Sequence, residues 1–343
     1  MAGSTKKRVN LALQGGGSHG AFTCGVLDRL CQVEGLEYEG ISGASSGAIN
    51  AVIFADGYMR DGPDGARKAL KKFWHTVGNE FSDIFNGPFM SGMMSLFNHH
   101  HQPALDSYLQ LTKSFSPYQL NPMDMNPLRE LVAKSVNFKR LRKNCPFKLF
   151  IAATHVKTGK LRIFENHEIT IDTIMASACL PSIHHAVEID GESYWDGGFS
   201  GNPPVFPLIF NCHSKDIIIV VLQPLQTEET PKTADEIQER ASEISFNTAF
   251  LREMRAIAYC KNMIKKDWLA HGKLEKRLHN VFIHLIENKH LSARHSAKSR
   301  YNTLPSFLDM FREEGQNAAN DWLTHNYDQV GISSTIDLTE VFT

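Results

Sequence analysis

"LALQGGGSHGAFTCGVL", Leu11–Leu27, decides how the rest of the chain is read. An apolar run with strand character, Arg8–Leu13, enters three consecutive glycines. A helical apolar spacing then leaves them over Gly20–Val33, through Phe22, Val26, Leu27 and Leu30. Gly15 to Gly20 spell G-x-G-x-x-G, the spacing of a dinucleotide-binding turn. Glu37 or Glu39 then stands near the distance expected of a ribose-binding carboxylate. Bare N–H groups at such a turn suit another negative charge, such as an oxyanion, equally well. Within the stretch, both chemistries stay open.

Further strands are expected at Tyr38–Ser42, Phe147–His155, Lys160–Phe164, Ala186–Ile189, Ser193–Trp195, Asp216–Leu222 and Asn280–Ile286. Helices are expected at Ser46–Phe54, Thr170–Cys179, Thr233–Arg277 and Pro305–Asn326. Strands alternating with helices predict an α/β fold whose mostly parallel sheet is sandwiched by helices. Asp83–Pro127, rich in Met, Phe, His, Asn and Pro, reads as an insertion or lid. The expected layout is a catalytic domain over 8–225 carrying that insertion. A helix-rich portion over 226–343 packs on the same core and offers faces for an oligomer.

The chain has 343 residues and a net charge of −1, so a nucleic-acid partner is not expected. Six cysteines without C-x-x-C spacing predict buried thiols in a reducing compartment. The apolar run near the N-terminus is too short for a signal-peptide core, and no segment reaches membrane-spanning length. A cytoplasmic protein is expected. His99, His100 and His101 read as a polar loop, and no metal or cofactor is called for.

"GISGASSGAIN" places G-x-S-x-G at Gly43–Gly47 between a strand and a helix, the setting of a nucleophile elbow at Ser45. Side chains two before and two after the nucleophile would collide in so tight a turn, and both positions are glycine. Ser46 lacks flanking glycines in its own frame and is the poorer nucleophile. A serine needs a partner to take its proton. The histidines at 213, 271, 279, 284, 290, 295 and 325 lie mostly in polar or helical segments. Asp196 is the better candidate: it closes an apolar strand and precedes Gly197 and Gly198, where another backbone can come close. A carboxylate is a weak base near pKa 4, so an Asp base calls for a desolvated site.

Together these blocks resemble the patatin-like phospholipases. The glycine loop at Gly15–Gly20, the elbow at Gly43–Gly47 and "DGG" at Asp196–Gly198 come in the family's order. Between them, Ala176, Ser177, Cys179 and Pro181 match the A-S-x-A-x-P block, with cysteine where alanine is commoner, and "NPP" at Asn202–Pro204 is similar to the family's N-x-P. The resemblance covers about residues 8–225. It implies a lipid acyl hydrolase with Ser45 as nucleophile and Asp196 as proton acceptor. The implied oxyanion hole is formed by Gly15, Gly16, Gly17 and Ser46, with His19 as an accessory residue where the family commonly has a cation. A fatty-acyl ester substrate then adds an expectation of peripheral contact with a membrane or lipid surface.

Overall fold

The computed structural model describes residues 6–86, 110–223, 225–226, 230–266, 272–287 and 297–343. At its centre lies β1 (Lys7–Leu13), whose residues Val9 to Leu13 are all fully buried. A strand buried on both faces reads as a continuous apolar run, as parallel strands do. The other strands are β2 (Leu36–Gly43), β3 (Lys148–His155), β4 (Leu161–Glu165), β5 (Val187–Ile189), β6 (Glu192–Asp196), β7 (Asp216–Val221) and β8 (Phe282–Glu287). They form one sheet in the order β5-β6-β3-β2-β1-β7-β8, with β4 added on β3. β3, β2, β1, β7 and β8 run parallel, while β4 and β6 oppose β3 and β5 opposes β6.

Side chains alternate across the sheet, so each strand feeds two cores. Leu11, Leu13, Ile218 and Val220 join α1 (Gly20–Leu30) and α2 (Ser46–Asn86) on one face. Ala12, Ile217, Ile219 and Val221 face the opposite layer. Five shorter helices follow in the chain, α3 (Pro127–Ser135), α4 (Phe138–Asn144), α5 (Ile171–Ser177), α6 (Phe206–Asn211) and, after α7 (Ala234–Lys266), α8 (Lys273–His279). α9 (Pro305–Asn326) and α10 (Leu338–Phe342) come last among the described helices. α7 and α10 pack on the second face through Phe250, Met254 and Phe342. α9 lies on α1 at backbone contact: a Cβ on Gly25 would fall 1.9 Å from the Arg312 carbonyl oxygen, and one on Gly315 2.1 Å from that of Phe22.

The helix expected to end at Phe54 runs to Asn86. It is interrupted at Asp61 and Gly62, where Gly62 takes φ 54°, and the polar "RDGPDG" between its two halves conceals the continuation. The stretch expected as one helix over 233–277 is two, α7 and α8. Of the insertion expected over 83–127, residues 87–109 lie outside the described residues, including the Met-rich run and His99–His101. Its remainder carries a helical turn, Pro117–Leu120. No described helix is long and apolar enough to cross a membrane.

Candidate active site

Two strand ends meet on one edge of β3. β2 arrives with Gly43 beside Ile151, and β6 arrives from the opposite direction with Asp196 beside Ala153. Both use the edge of β3 that β4 leaves free. The turn after β2 and the end of β6 are thus brought together by pairing register.

The turn is as tight as its glycines imply. A Cβ on Gly43 would lie 2.7 Å from the Gly47 carbonyl, and one on Gly47 would lie 2.1 Å from the Leu13 carbonyl oxygen. Ser45 takes φ 53°, a left-handed conformation that costs a non-glycine residue about 1–3 kcal/mol. Its N–H is held from α5, donating to the Ser177 carbonyl at 3.1 Å and the Ser177 hydroxyl at 3.0 Å. Two residues on, the Cys179 carbonyl accepts from the Asp196 N–H at 2.8 Å. The "ASACLP" block is therefore a bridge that fixes both the serine and the carboxyl.

Asp196 is fully buried. Its Oδ1 accepts from the Gly198 N–H at 2.7 Å, and its Oδ2 is enclosed with no hydrogen-bond partner. Burial pushes the carboxyl up to about 7, against the Gly198 N–H, the Ser45 hydroxyl and the charge of Arg300, which all favour ionisation. The Ser45 hydroxyl thus faces the carboxyl and favours its ionised form, while Oδ2 makes no hydrogen bond. Gly197 serves close approach, as a Cβ there would lie 2.3 Å from the Ala152 carbonyl oxygen.

The glycine loop comes to the same place, although its N–H groups differ in state. The Gly15 N–H donates to Asn202 Oδ1 at 2.7 Å, and Asn202 Nδ2 returns a bond to the Gly15 carbonyl at 3.2 Å. The Gly16 N–H donates to Ser46 Oγ at 3.0 Å. The N–H groups of Gly17 and Ser46 have no acceptor among the described residues. Gly17, at φ 59°, lies under the Arg300 carbonyl oxygen, which a Cβ would approach to 2.3 Å. Behind the loop, Gln14 Oε1 accepts from the Leu222 and Gln223 N–H groups, and Gln14 Nε2 donates to Asn247 Oδ1 on α7 at 2.9 Å.

One cavity of about 30 Å³ is lined by Gly15, Gly16, Gly17, Ser45 and Asp196. Its other walls are Leu180, Asn202, Gln223, Phe246, Arg300 and Tyr301. It has room for about two waters. Sequence patterning does not reveal the last four of these, because they come from a strand end, α7 and the 297–301 turn, far from any motif. Asn202 sits inside "NPP", where the resemblance points but assigns no role. His19 does not line the cavity: its Nε2 shares a 2.8 Å hydrogen bond with the Ser299 hydroxyl, and its ring stacks on Phe311 with centroids 4.7 Å apart. His213, His279 and His325 are exposed, whereas His284 is fully buried against Asp216 at 3.1 Å, where Asp216 begins β7. Residues 271, 290 and 295 lie outside the described residues. Glu37 and Glu39 sit where β1 begins, with Glu37 opposite Arg8, the end of the sheet away from the glycine loop. They are not placed to meet a ribose bound at that loop.

A curated relative, the uncharacterized protein YjjU of Escherichia coli K12, is 25% identical over 226 residues. That match covers 66% of this chain and 55% of the relative, so the chain spans about half the length of that relative. Solved structures with similarity are VipD from Legionella pneumophila and the ExoU–SpcU complex from Pseudomonas aeruginosa. VipD gives a TM-score of 0.43 at 14% identity over 94% of this chain and 67% of that one. ExoU–SpcU gives 0.33 at 16% identity over 92% and 75%. The patatin-like phospholipase family profile matches residues 11–209, more than half of the chain and the whole run from glycine loop to "NPP". On that match the chain belongs to the patatin-like phospholipase family, a family of lipid hydrolases.

Proposed function

We propose that this protein is a serine acyl-ester hydrolase of the phospholipase A or lysophospholipase type, working through a Ser45–Asp196 dyad. The observation that carries the reading is a left-handed serine at the head of a helix, sharing a small cavity with a fully buried carboxyl whose pKa is about 7. A base near neutral pH is matched to its task, and an ordinary aspartate is not.

In this reading Ser45 Oγ attacks the ester carbonyl while Asp196 takes its proton. The N–H groups of Gly17 and Ser46 receive the oxyanion, each donor contributing roughly 3–4 kcal/mol in comparable sites. Gly15 and Gly16, whose N–H groups already have acceptors, hold the loop in shape. Asp196 returns the proton to the departing alcohol, and water then releases the acid from Ser45 by the reverse proton path. Asp196 Oδ2, enclosed without a partner, is the free position for that proton.

Phe115, Tyr118, Met123 and Met125 are exposed apolar side chains on one segment. That segment packs on the loop after Leu180, with Tyr118 stacked on His185 at 4.0 Å. This rim, adjoining a cavity wall, is the proposed contact with a lipid surface. The deciding experiment is a fluorophosphonate probe and a chromogenic acyl ester on wild type, Ser45→Ala and Asp196→Asn. Labelling at Ser45 and loss of at least about 1,000-fold in either variant is expected. Full activity in either variant overturns the dyad.

A further inference from the structure

One polar wall of the cavity has no part in the dyad or in the oxyanion hole so far. Gln223 is only 6% exposed and stands just past β7, which ends at Val221. Its backbone is fixed, since its N–H donates to Gln14 Oε1 at 2.9 Å. Its carboxamide makes no such bond. Oε1 is enclosed without a hydrogen-bond partner, and Nε2 has none among the described residues either. Nε2 is not enclosed as Oε1 is, so it is the end of the amide that meets the cavity Gln223 lines. An amide buried with its polar atoms unpaired is costly and asks for a partner that arrives from outside.

The order of the sheet says what that partner is. β2, β1 and β7 are parallel neighbours, and they deliver Ser45, the glycine loop and Gln223 at the same end. Asp196 stands in the column of β2, since β6 and β2 share one edge of β3. Gln223 stands in the column of β7, and the glycine loop rises from β1 between them. The loop also packs on the residue before Gln223, as a Cβ on Gly16 would lie 3.3 Å from Leu222 Cδ1. The carboxyl and the amide therefore reach the cavity from opposite sides. The proton of Ser45 leaves on the Asp196 side, and the amide lies on the side of Gly17, where the oxygen gains its charge. In a cavity with room for about two waters, a donor on one wall is within reach of an oxygen held at another.

We propose that Gln223 is a third donor of the oxyanion hole, its Nε2 joining the N–H groups of Gly17 and Ser46. This role rests on the acyl-hydrolase reading of Ser45. As Ser45 Oγ bonds to the ester carbon, the carbonyl π pair moves onto oxygen and the Oγ proton passes to Asp196. Gln223 Nε2 then donates to a charged oxygen, a stronger bond than the one it makes to a neutral carbonyl. The same bond forms again when water attacks the acyl-serine, so both half-reactions use it. An amide suits this position because it donates without carrying charge. It stabilises the oxyanion and leaves the titration of Asp196 to burial.

The test measures kcat and KM for a soluble short-chain acyl ester and for its thiono analogue, whose C=S sulfur is a weak hydrogen-bond acceptor. In Gln223→Met, kcat for the oxygen ester should fall about 100-fold with KM within about twofold, the scale of losing one side-chain donor. The thiono ester uses the donor little in wild type, so the oxo-to-thiono ratio of kcat should shrink about tenfold or more. Gln223→Glu keeps the shape and turns the donor into an acceptor, and it should lose at least as much as Gln223→Met. Should Gln223→Met fail to fold, the isosteric Gln223→Glu decides alone. An oxo-to-thiono ratio unchanged from wild type overturns the donor, because a merely structural loss falls equally on both esters. Wild-type kcat in Gln223→Glu overturns it as well. Fluorophosphonate labelling of Ser45 separates this from failure of the hydrolase reading: labelled variants with an unchanged ratio condemn the donor alone, and an unlabelled wild type condemns both.

Discussion

At Asp196 the decisive quantity is the work of burying a charge. The carboxyl's pKa, pushed up to about 7 in the folded protein against about 4 in an unfolded chain, sets two opposite pH trends. Catalysis needs the ionised base, so kcat/KM should fall about tenfold per pH unit below pH 7 and level off above it. Stability runs the other way. The folded state resists ionisation, so the burden of this residue is absent below pH 4, grows through the window from 4 to 7 and is complete above it. Its ceiling is about 4 kcal/mol. Asp196→Asn should therefore melt higher than wild type at pH 8 and lose that advantage toward pH 4, while being inactive at both. Asn202 acts at the same scale through two hydrogen bonds to the backbone of one residue, Gly15. Asn202→Ala frees the Gly15 peptide to rotate, and a 10- to 100-fold loss in kcat with little change in KM is expected, roughly two hydrogen bonds' worth.

Among elements, the sheet is where sequence and structure correspond most closely. β1, β3 and β7 are buried on both faces, and such strands announce themselves as unbroken apolar runs. The elbow and the "DGG" turn are legible for a related reason. Gly43, Gly47 and Gly197 each stand where a Cβ would strike a carbonyl, so the backbone contact is written into the residue type. The second half of α2 was hidden by the polar break at Asp61–Gly62, which scrambles helical periodicity. Gln223, Phe246 and Arg300 were hidden more deeply, because no local pattern marks a side chain whose meaning comes from partners far away along the chain. The α1–α9 contact yields a prediction. Gly315→Ala places a methyl against the Phe22 carbonyl, and a drop of about 2–4 kcal/mol in denaturant unfolding is expected, with the helices forced apart.

For the whole molecule, what matters is how a fatty substrate reaches a cavity that admits about two waters. Leu180 and the apolar rim of Phe115, Tyr118, Met123 and Met125 lie on one side, and Phe246, Arg300 and Tyr301 close the other. Met123→Asp with Met125→Asp should weaken co-sedimentation with phospholipid vesicles by about tenfold or more while leaving hydrolysis of a soluble short-chain ester in place. Equal loss on both would assign the rim to stability. The circuit of the site is unusually long in sequence. Gln14 leans on Asn247, Gly17 lies beneath Arg300 and His19 ties Ser299, so the glycine loop is held by residues 233 to 283 positions later. This has a consequence for timing during synthesis. Ser45, Ser177 and Asp196 all emerge well before Arg300 and Tyr301, which line the same cavity. A nascent chain therefore carries the proposed dyad with one side of its cavity open, and that side closes only as the 297–301 turn and α9 settle into place.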